Sequence, residues 1–507
     1  MTEVKPSAAQ EIAAGYATSG RAVELGAVVV GDQADSAARV RIPLSMINRH
    51  GLVAGATGTG KTKTLQLVAE QLALAGVPAV LADMKGDLSG LSRPGTANDR
   101  ITQRAKDTGD DWQATRFPVQ FVSLGTSGNA VPIRASITSF GPILLAKVLG
   151  LNDTQESTLG LIFHWADKKG LPLLDTKDLR AVITHLTSDA GKADLEGIGG
   201  VSSATAGVIL RALSNLEAQG GEEFFGEPEL AVGDLIRQVD GKGVLTLIEL
   251  ANLTAKPALF STFLMWLLAE LFEELPEEGD VEQPKLVFFF DEAHLLFHDA
   301  SKAFLDRIEQ TVKLIRSKGV GVFFCTQLPT DIPGAVLSQL GARVQHALRA
   351  FTPEDQQALA KTVKTYPTTP HYELDKALTG LGTGEAIVTV LSEKGAPTPV
   401  AWTRLRAPRS LMDTIGDEAI KQAAESSELH GKYGQTVDRE SAYELMANKA
   451  PAPEQEQEAE RPEPEKDEPG FMEKVLGNPA VKSFMRSAAS ALGREITRGM
   501  FGNRRRR

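Results

Sequence analysis

Gly51-Leu-Val-Ala-Gly-Ala-Thr-Gly-Thr-Gly-Lys-Thr62 decides how the rest of the chain is read. The stretch fits the pattern G-x-x-x-x-G-K-[ST], with Gly55, Gly60, Lys61 and Thr62 in the defining places. Its flanks agree with it. Leu52-Val53-Ala54 reads as a short buried strand, and Lys63 to Leu74 carries apolar residues at helical spacing. A glycine-rich turn between the two leaves backbone N–H groups free to converge on a phosphate, and the helix N-terminus adds the positive end of its dipole. Gly55, Ala56, Thr57, Gly58, Thr59, Gly60, Lys61, Thr62 and Lys63 are therefore the expected cradle for a nucleoside triphosphate. Lys61 is expected to reach the β- and γ-phosphates and Thr62 to offer its hydroxyl to Mg2+, so that ATP and Mg2+ are the expected ligands.

Composition sets the limits around that loop. The chain has 507 residues, 42% hydrophobic and 23% charged, which is ordinary for a water-soluble protein with ample core. No apolar run is long enough to span a bilayer, since Phe260 to Phe272 is short and carries Glu270. The N-terminus has no apolar segment of the export type. Cys325 is the single cysteine, which excludes an intramolecular disulfide and a multi-cysteine metal site and suits the cytoplasm. A net charge of -11 argues against a protein that coats nucleic acid non-specifically, though not against one that touches DNA only inside a narrow ring.

Along the chain, Val23 to Val30 and Ala38 to Ile42 read as a hairpin leading into the nucleotide-binding strand. Ala79 to Ala82, Val119 to Val122, Val244 to Ile248, Lys285 to Phe290, Val320 to Gln327, Val344 to Leu348 and Glu385 to Leu391 read as further strands, the last two closing the sheet. Between about 141 and 220 the pattern turns helical. Strands alternating with helices indicate a mainly parallel α/β sheet covered on both faces. The expected organisation is an N-terminal segment with a short hairpin (1–45), a P-loop ATPase domain (46–408), a helical extension (409–450), a disordered acidic Pro/Glu linker (451–469) and an amphipathic basic tail (470–507).

Hydrolysis of a phosphoanhydride needs a metal between the phosphates, a group that orients water, and positive charge for the transition state. Asp291 and Glu292 end an apolar strand. Asp291 is placed to hold Mg2+, and Glu292 to polarise the attacking water. Gln327 ends the next strand and is expected in the same crevice. Arg316, at the end of the preceding helix, is the first candidate for an arginine supplied to a neighbouring subunit; Arg343 and Arg349, bracketing the following strand, compete with it. Asp83, Lys85 and Asp87 are expected near the site, and a simple β-turn explains them almost as well. His294 and His50 read as structural.

Together these residues resemble the HerA/FtsK superfamily of ring-forming ATPases. Asp83-Met-Lys-Gly-Asp-Leu-Ser-Gly90, Phe224-Phe-Gly-Glu-Pro228, Val437-Asp-Arg-Glu-Ser-Ala-Tyr443 and Gly493-Arg-Glu-Ile-Thr-Arg-Gly499 are similar to the bacterial HerA-like helicase family of the YjgR type. The resemblance implies a RecA-like P-loop NTPase of the additional-strand catalytic-glutamate class, a homo-oligomer and specifically a hexamer, with an arginine finger in trans and DNA translocation or helicase activity. The N-terminal region is too short for the full small barrel of archaeal HerA. Asp291-Glu-Ala-His294 also suggests a DEAH-box helicase, but those place the motif nearer the phosphate loop and follow it with a second, similar lobe, whereas here a helical insert intervenes and no second lobe follows Leu405.

Two other readings stand beside the DNA motor. One is an ATP-gated scaffold, suggested by the acidic balance and the absence of a base-stacking aromatic cluster, with only 6% aromatic residues. The other is a protein remodeller. The tail, with Val481, Phe484, Met485, Ala488, Leu492 and Ile496 on one helical face and a basic end at Arg504 to Arg507, suits a protein partner, DNA backbone or an anionic membrane surface.

Overall fold

A computed structural model describes residues 7–447 apart from 84, 126–127, 196–198, 219–220, 251–256 and 298–301, with the backbone alone at 257–262 and 303. The expected linker and tail, 451–469 and 470–507, lie outside the described residues. The chain opens with α1 (Ala8–Ala14), capped reciprocally by Ser7 and Gln10. The hairpin β1 (Ala22–Val30) and β2 (Gln33–Pro43) precedes β3 (Gly51–Ala54) and α2 (Lys61–Leu74). Next come β4 (Ala79–Asp83), α3 (Asp99–Thr108), β5 (Val119–Leu124) and β6 (Val131–Ile133). A helical stretch follows: α4 (Ile137–Val148), α5 (Asp153–Lys168), α6 (Thr176–Thr187), α7 (Asp189–Asp194) and α8 (Ser203–Ala218). The small hairpin β7 (Gln238–Val239) and β8 (Lys242–Gly243) leads to β9 (Leu245–Glu249), α9 (Pro257–Glu274) and β10 (Leu286–Phe290). Then come α10 (His294–Phe297), α11 (Lys302–Leu314), β11 (Val320–Thr326), α12 (Gly334–Leu337) and β12 (Ala342–Gln345). After α13 (Pro353–Val363) and α14 (Leu374–Gly380) the chain forms β13 (Glu385–Thr389) and β14 (Ala401–Leu405), and the described residues close with α15 (Asp417–Glu425), α16 (Glu428–Tyr433) and α17 (Ala442–Ala447).

Among the described residues one sheet has the order β2-β1-β14-β13-β12-β3-β11-β10-β4-β9-β5-β6. From β12 to β6 every neighbour is parallel, so the carboxyl ends of these strands share one rim. The other flank is antiparallel. One expectation needs correction. The strands at 344–348 and 385–391 do not close the sheet: Ala401-Trp-Thr-Arg-Leu405 adds β14, which pairs with β13 on one side and β1 on the other. Its alternation is easily overlooked because Trp402 and Arg404 are only half-buried. The hairpin does lead along the chain to β3, but it lies on the far edge of the antiparallel flank. α3 leaves little apolar pattern in the sequence, since its buried side chains are just Ile101 and Thr108.

Period-two alternation explains the two cores. Leu286, Phe288 and Phe290 of β10 face the layer holding α4, α5, α8, α9 and α11. Val287 and Phe289 face the opposite layer, with α1 and α2. The rings continue across the strands: Phe290 stacks on Phe324 at 5.4 Å, and Phe289 meets Phe323 at 5.4 Å. The helical pattern expected from about 141 begins earlier, at Ile137 in α4. Gly141 sits at φ 73° directly before Pro142, a conformation open to glycine, and breaks the helix there.

His50 is structural, as expected. Its buried ring donates from Nε2 to the Val312 carbonyl (2.7 Å) and accepts the Val322 N–H at Nδ1 (3.0 Å), bridging α11 to β11. Burial, with Arg316 and Arg49 nearby, pushes its pKa down to about 4. In the unfolded chain it titrates near 6.5, so between those values the unfolded state binds the proton that the folded state refuses. Stability is then full above about pH 6.5 and falls as the pH drops towards 4. Relative to a His50→Gln variant, the wild type is expected to lose about 3 kcal/mol over that interval. Urea midpoints of both proteins at several pH values measure the difference; parallel curves would contradict it.

Candidate active site

The phosphate loop is held by its neighbours. Gly55 N–H donates to the carbonyls of Thr326 (3.2 Å) and Gln327 (3.1 Å) at the end of β11, and Ala56 N–H to Ala347 beyond β12 (2.9 Å). Gly55 at φ 150° packs so closely on His346 that a Cβ there would lie 2.5 Å from the His346 Cβ. Gly60, at φ 114°, precedes α2 without any side-chain cap, so the first-turn N–H groups of α2 have no partner within the helix or from a cap. Thr57 and Gly58 are exposed, and Thr59, Gly60, Lys61, Thr62 and Lys63 are half-buried. Lys61 bends back, its Nζ donating to the loop's own carbonyls at Gly55 (2.7 Å) and Ala56 (3.2 Å).

Across the rim, two strands from β3, β10 ends in the acid pair. Asp291 is buried, and its Oδ1 accepts the Glu292 N–H at 2.9 Å. Burial, then the Glu292 carboxylate beside it, push the Asp291 pKa up; the Cys325 thiol donates to it. Glu292 has φ 49°, a left-handed backbone rare outside glycine, which turns the chain sharply off the strand. Its Oε1 lies 3.4 Å from Lys85 Nζ. Its buried Oε2 makes no hydrogen bond and lies 3.5 Å from His294 Nδ1.

Gln327 is exposed just past β11 and lines a cavity of about 450 Å3 with His294, Phe297, Leu328 and Asp331. His294, expected to be structural, thus stands at the site. The arginines separate. Arg349 is exposed beyond β12, on the rim of the phosphate loop. Arg316 and Arg343 lie at the opposite, amino ends of the strands, where they line one cavity of about 470 Å3 together with Arg49. Arg343 donates to the Thr365 (3.0 Å) and Leu337 (3.4 Å) carbonyls. The Asp83 carboxylate accepts the N–H groups of Lys85 (3.3 Å), Gly86 (2.8 Å) and Leu88 (3.1 Å), and burial raises its pKa to about 6.

Residues 29–507 match the family described as Helicase HerA-like C-terminal. The chain belongs to that family. Among curated proteins none matches. Among solved structures, this HerA-like chain is similar to the bacterial conjugative coupling protein TrwBdeltaN70 in its unbound form, with a TM-score of 0.52 and 16% identity over 81% of this chain and 95% of that one. The plasmid coupling protein TrwB in complex with ADP and Mg2+ gives 0.50 and 17%, over 78% and 98%. TrwB with the ATP analogue ADPNP gives 0.50 and 16%, over 78% and 99%. At these identities the likeness is one of fold: a P-loop NTPase with a large, mostly parallel sheet.

Several residues of the HerA-like site escape a reading of the sequence. His346 supports Gly55 from below, and its ring joins the Thr64 hydroxyl of α2 at 2.8 Å; burial holds its pKa near 4. The turn before β13 also meets the loop, Gly384 N–H donating to the Thr59 carbonyl at 3.1 Å. Arg104 of α3 holds that turn through the carbonyls of Gly384 (3.0 Å) and Thr383 (3.1 Å). A Gly-x-Gly at 382–384 before a strand is the available signal for the turn. Nothing in the spacing of Arg104 announces its role. The polypeptide after β14 packs back on the site's support: buried Glu70 of α2 accepts the N–H groups of Arg409 and Ser410, both at 2.8 Å.

Proposed function

We propose that the chain is an ATP-hydrolysing motor of the HerA/FtsK type, assembled as a homo-oligomeric ring, by resemblance a hexamer, and acting on DNA. The observation that carries the ATPase reading is the pairing of an uncapped phosphate loop with a half-buried glutamate whose buried Oε2 has no hydrogen-bond partner, on one rim of one sheet. Lys61 exchanges the Gly55 and Ala56 carbonyls for phosphate oxygens, a stronger, charge-assisted partner. Thr62 and Asp291 offer a hydroxyl and a carboxylate oxygen, the donor set that suits Mg2+. Mg2+, when bound, neutralises charge on the phosphates. Glu292 accepts the proton of the attacking water, and Gln327, across the cavity by His294, orients that water. The complex of TrwB with ADP and Mg2+ supports the choice of ligands.

Arg316, at the amino ends of the strands, is too far around the sheet to serve its own loop and suits a neighbouring copy. Its company of Arg343 and Arg49 supports that choice, since guanidinium groups gathered in one cavity on an acidic protein favour an anion. Arg349, beside its own loop, is the competitor. Mixing Arg316→Ala subunits with Lys61→Ala subunits is expected to restore part of the turnover that each lacks alone, because one contributes the loop and the other the arginine. Restoration by Arg349→Ala mixtures instead would move the role to Arg349, and fully active monomers would remove the ring.

The second reading, an ATP-gated scaffold, is favoured by the charge of -11. In either case the basic tail, 470–507, is assigned to contact with an anionic partner or membrane surface.

A further inference from the structure

The turn after β4 presents one cation to the acid pair. Asp83, buried at the strand end, fixes the turn with three backbone N–H groups, and its own carbonyl takes the Leu250 N–H from beyond β9 at 3.1 Å. Gly86, at φ 73°, completes the reversal. β4 is the neighbour of β10, so the turn brings Lys85 to Glu292, Nζ to Oε1 at 3.4 Å. The Lys85 side chain is 51% exposed and that of Glu292 18%. A pair so open to water adds little to stability. Its value lies in direction. Burial works against the Lys85 charge, but the Glu292, Asp291 and Asp87 carboxylates outweigh it and hold the ammonium pKa above its usual value.

The two oxygens of Glu292 are treated differently. Oε1 has Lys85 as its partner, whereas Oε2 is buried without a hydrogen bond. Oε2 also lies 3.5 Å from His294 Nδ1, and His294 lines the cavity of about 450 Å3 shared with Gln327. That cavity has room for water. A carboxylate on a side chain with three rotatable bonds has many orientations; tying one oxygen leaves the other aimed at one place.

We infer that Lys85 is the positioning residue of the site: by holding Oε1 of Glu292 it keeps Oε2 free and directed toward His294, at the edge of the cavity that His294 and Gln327 line, to accept a proton from a water admitted there. The inference rests on Glu292 acting as the base, and on the turn at 83–88 serving to present Lys85.

Steady-state ATP turnover and nucleotide binding by the full-length chain test it with four variants: Lys85→Met, Lys85→Arg, Glu292→Gln and the double variant Lys85→Met/Glu292→Gln. For Lys85→Met, kcat is expected to fall on the order of tenfold to a hundredfold, with KM and nucleotide affinity nearly unchanged. Lys85→Arg, which keeps the charge, is expected to recover most of kcat. The double variant is expected to be no slower than Glu292→Gln alone, because Lys85 acts only through that carboxylate. Unchanged kcat in Lys85→Met would overturn the inference, as would additive losses in the double variant or a raised KM, which would mean that Lys85 touches the phosphates. Full turnover in Glu292→Gln overturns the base assignment itself and is distinguishable from all of these. Thermal unfolding of Lys85→Met checks that the fold is intact; the conservative variant keeps the test decisive if it is not.

Discussion

Lys61→Ala is expected to lower ATP turnover on the order of a thousandfold while the protein stays folded. Among the described residues no carboxylate forms an ion pair with the Lys61 ammonium group; it rests on two carbonyls of its own loop, at 2.7 and 3.2 Å. Those carbonyls border half-buried and exposed residues, so water replaces the lost donor, and the change in unfolding free energy is expected to stay below about 1 kcal/mol. The triphosphate has no such substitute. Its β- and γ-oxygens lose the positive charge that offsets their own and that follows charge as it develops on the leaving group. Thermal unfolding and turnover of the same preparation separate the two effects. Retained turnover would remove the loop from the account, and a collapsed fold would show that Lys61 has a structural part that its contacts do not suggest.

Glu292→Gln is expected to bind ATP normally and turn it over at least roughly a hundredfold more slowly. The amide keeps the size and the position of the side chain but cannot accept a proton. The left-handed backbone at φ 49° and the bond from its N–H to Asp291 Oδ1 do not involve the side chain, so the strand end and the metal-holding carboxylate remain in place. Binding of a fluorescent nucleotide analogue, measured beside single-turnover hydrolysis, distinguishes lost chemistry from lost affinity. Weak binding with normal chemistry would assign Glu292 to the ligand rather than to water.

Much of this site is legible in the sequence for simple reasons. A glycine-rich loop between a strand and a helix, and two acids after an apolar run, are local patterns whose chemistry follows from their neighbours in sequence. The parallel block is legible too, because strands buried on both faces read as continuous apolar runs, as at Leu286–Phe290. What stays hidden is pairing between distant segments. β14 touches β1 across most of the chain, and its half-buried Trp402 and Arg404 blur the alternation. Arg104 reaches Gly384 from a helix that shows almost no apolar face. Lys85 is expected near the site from the sequence, but its pairing with Glu292 shows only once β4 is placed beside β10. The choice between Arg316 and Arg349 depends on a second copy of the chain, which no single sequence contains.

The central claim is that ATP turnover drives work on DNA. Its most direct test is the steady-state turnover of the full-length chain with Mg2+ and ATP, measured alone, with single-stranded and with double-stranded DNA, over a range of salt. The account predicts Mg2+-dependent turnover that rises when DNA is added, with the rise lost steeply as salt increases, because contact with the phosphate backbone releases counterions. Turnover that is present but indifferent to either DNA at every salt concentration would contradict the motor reading and favour the ATP-gated scaffold.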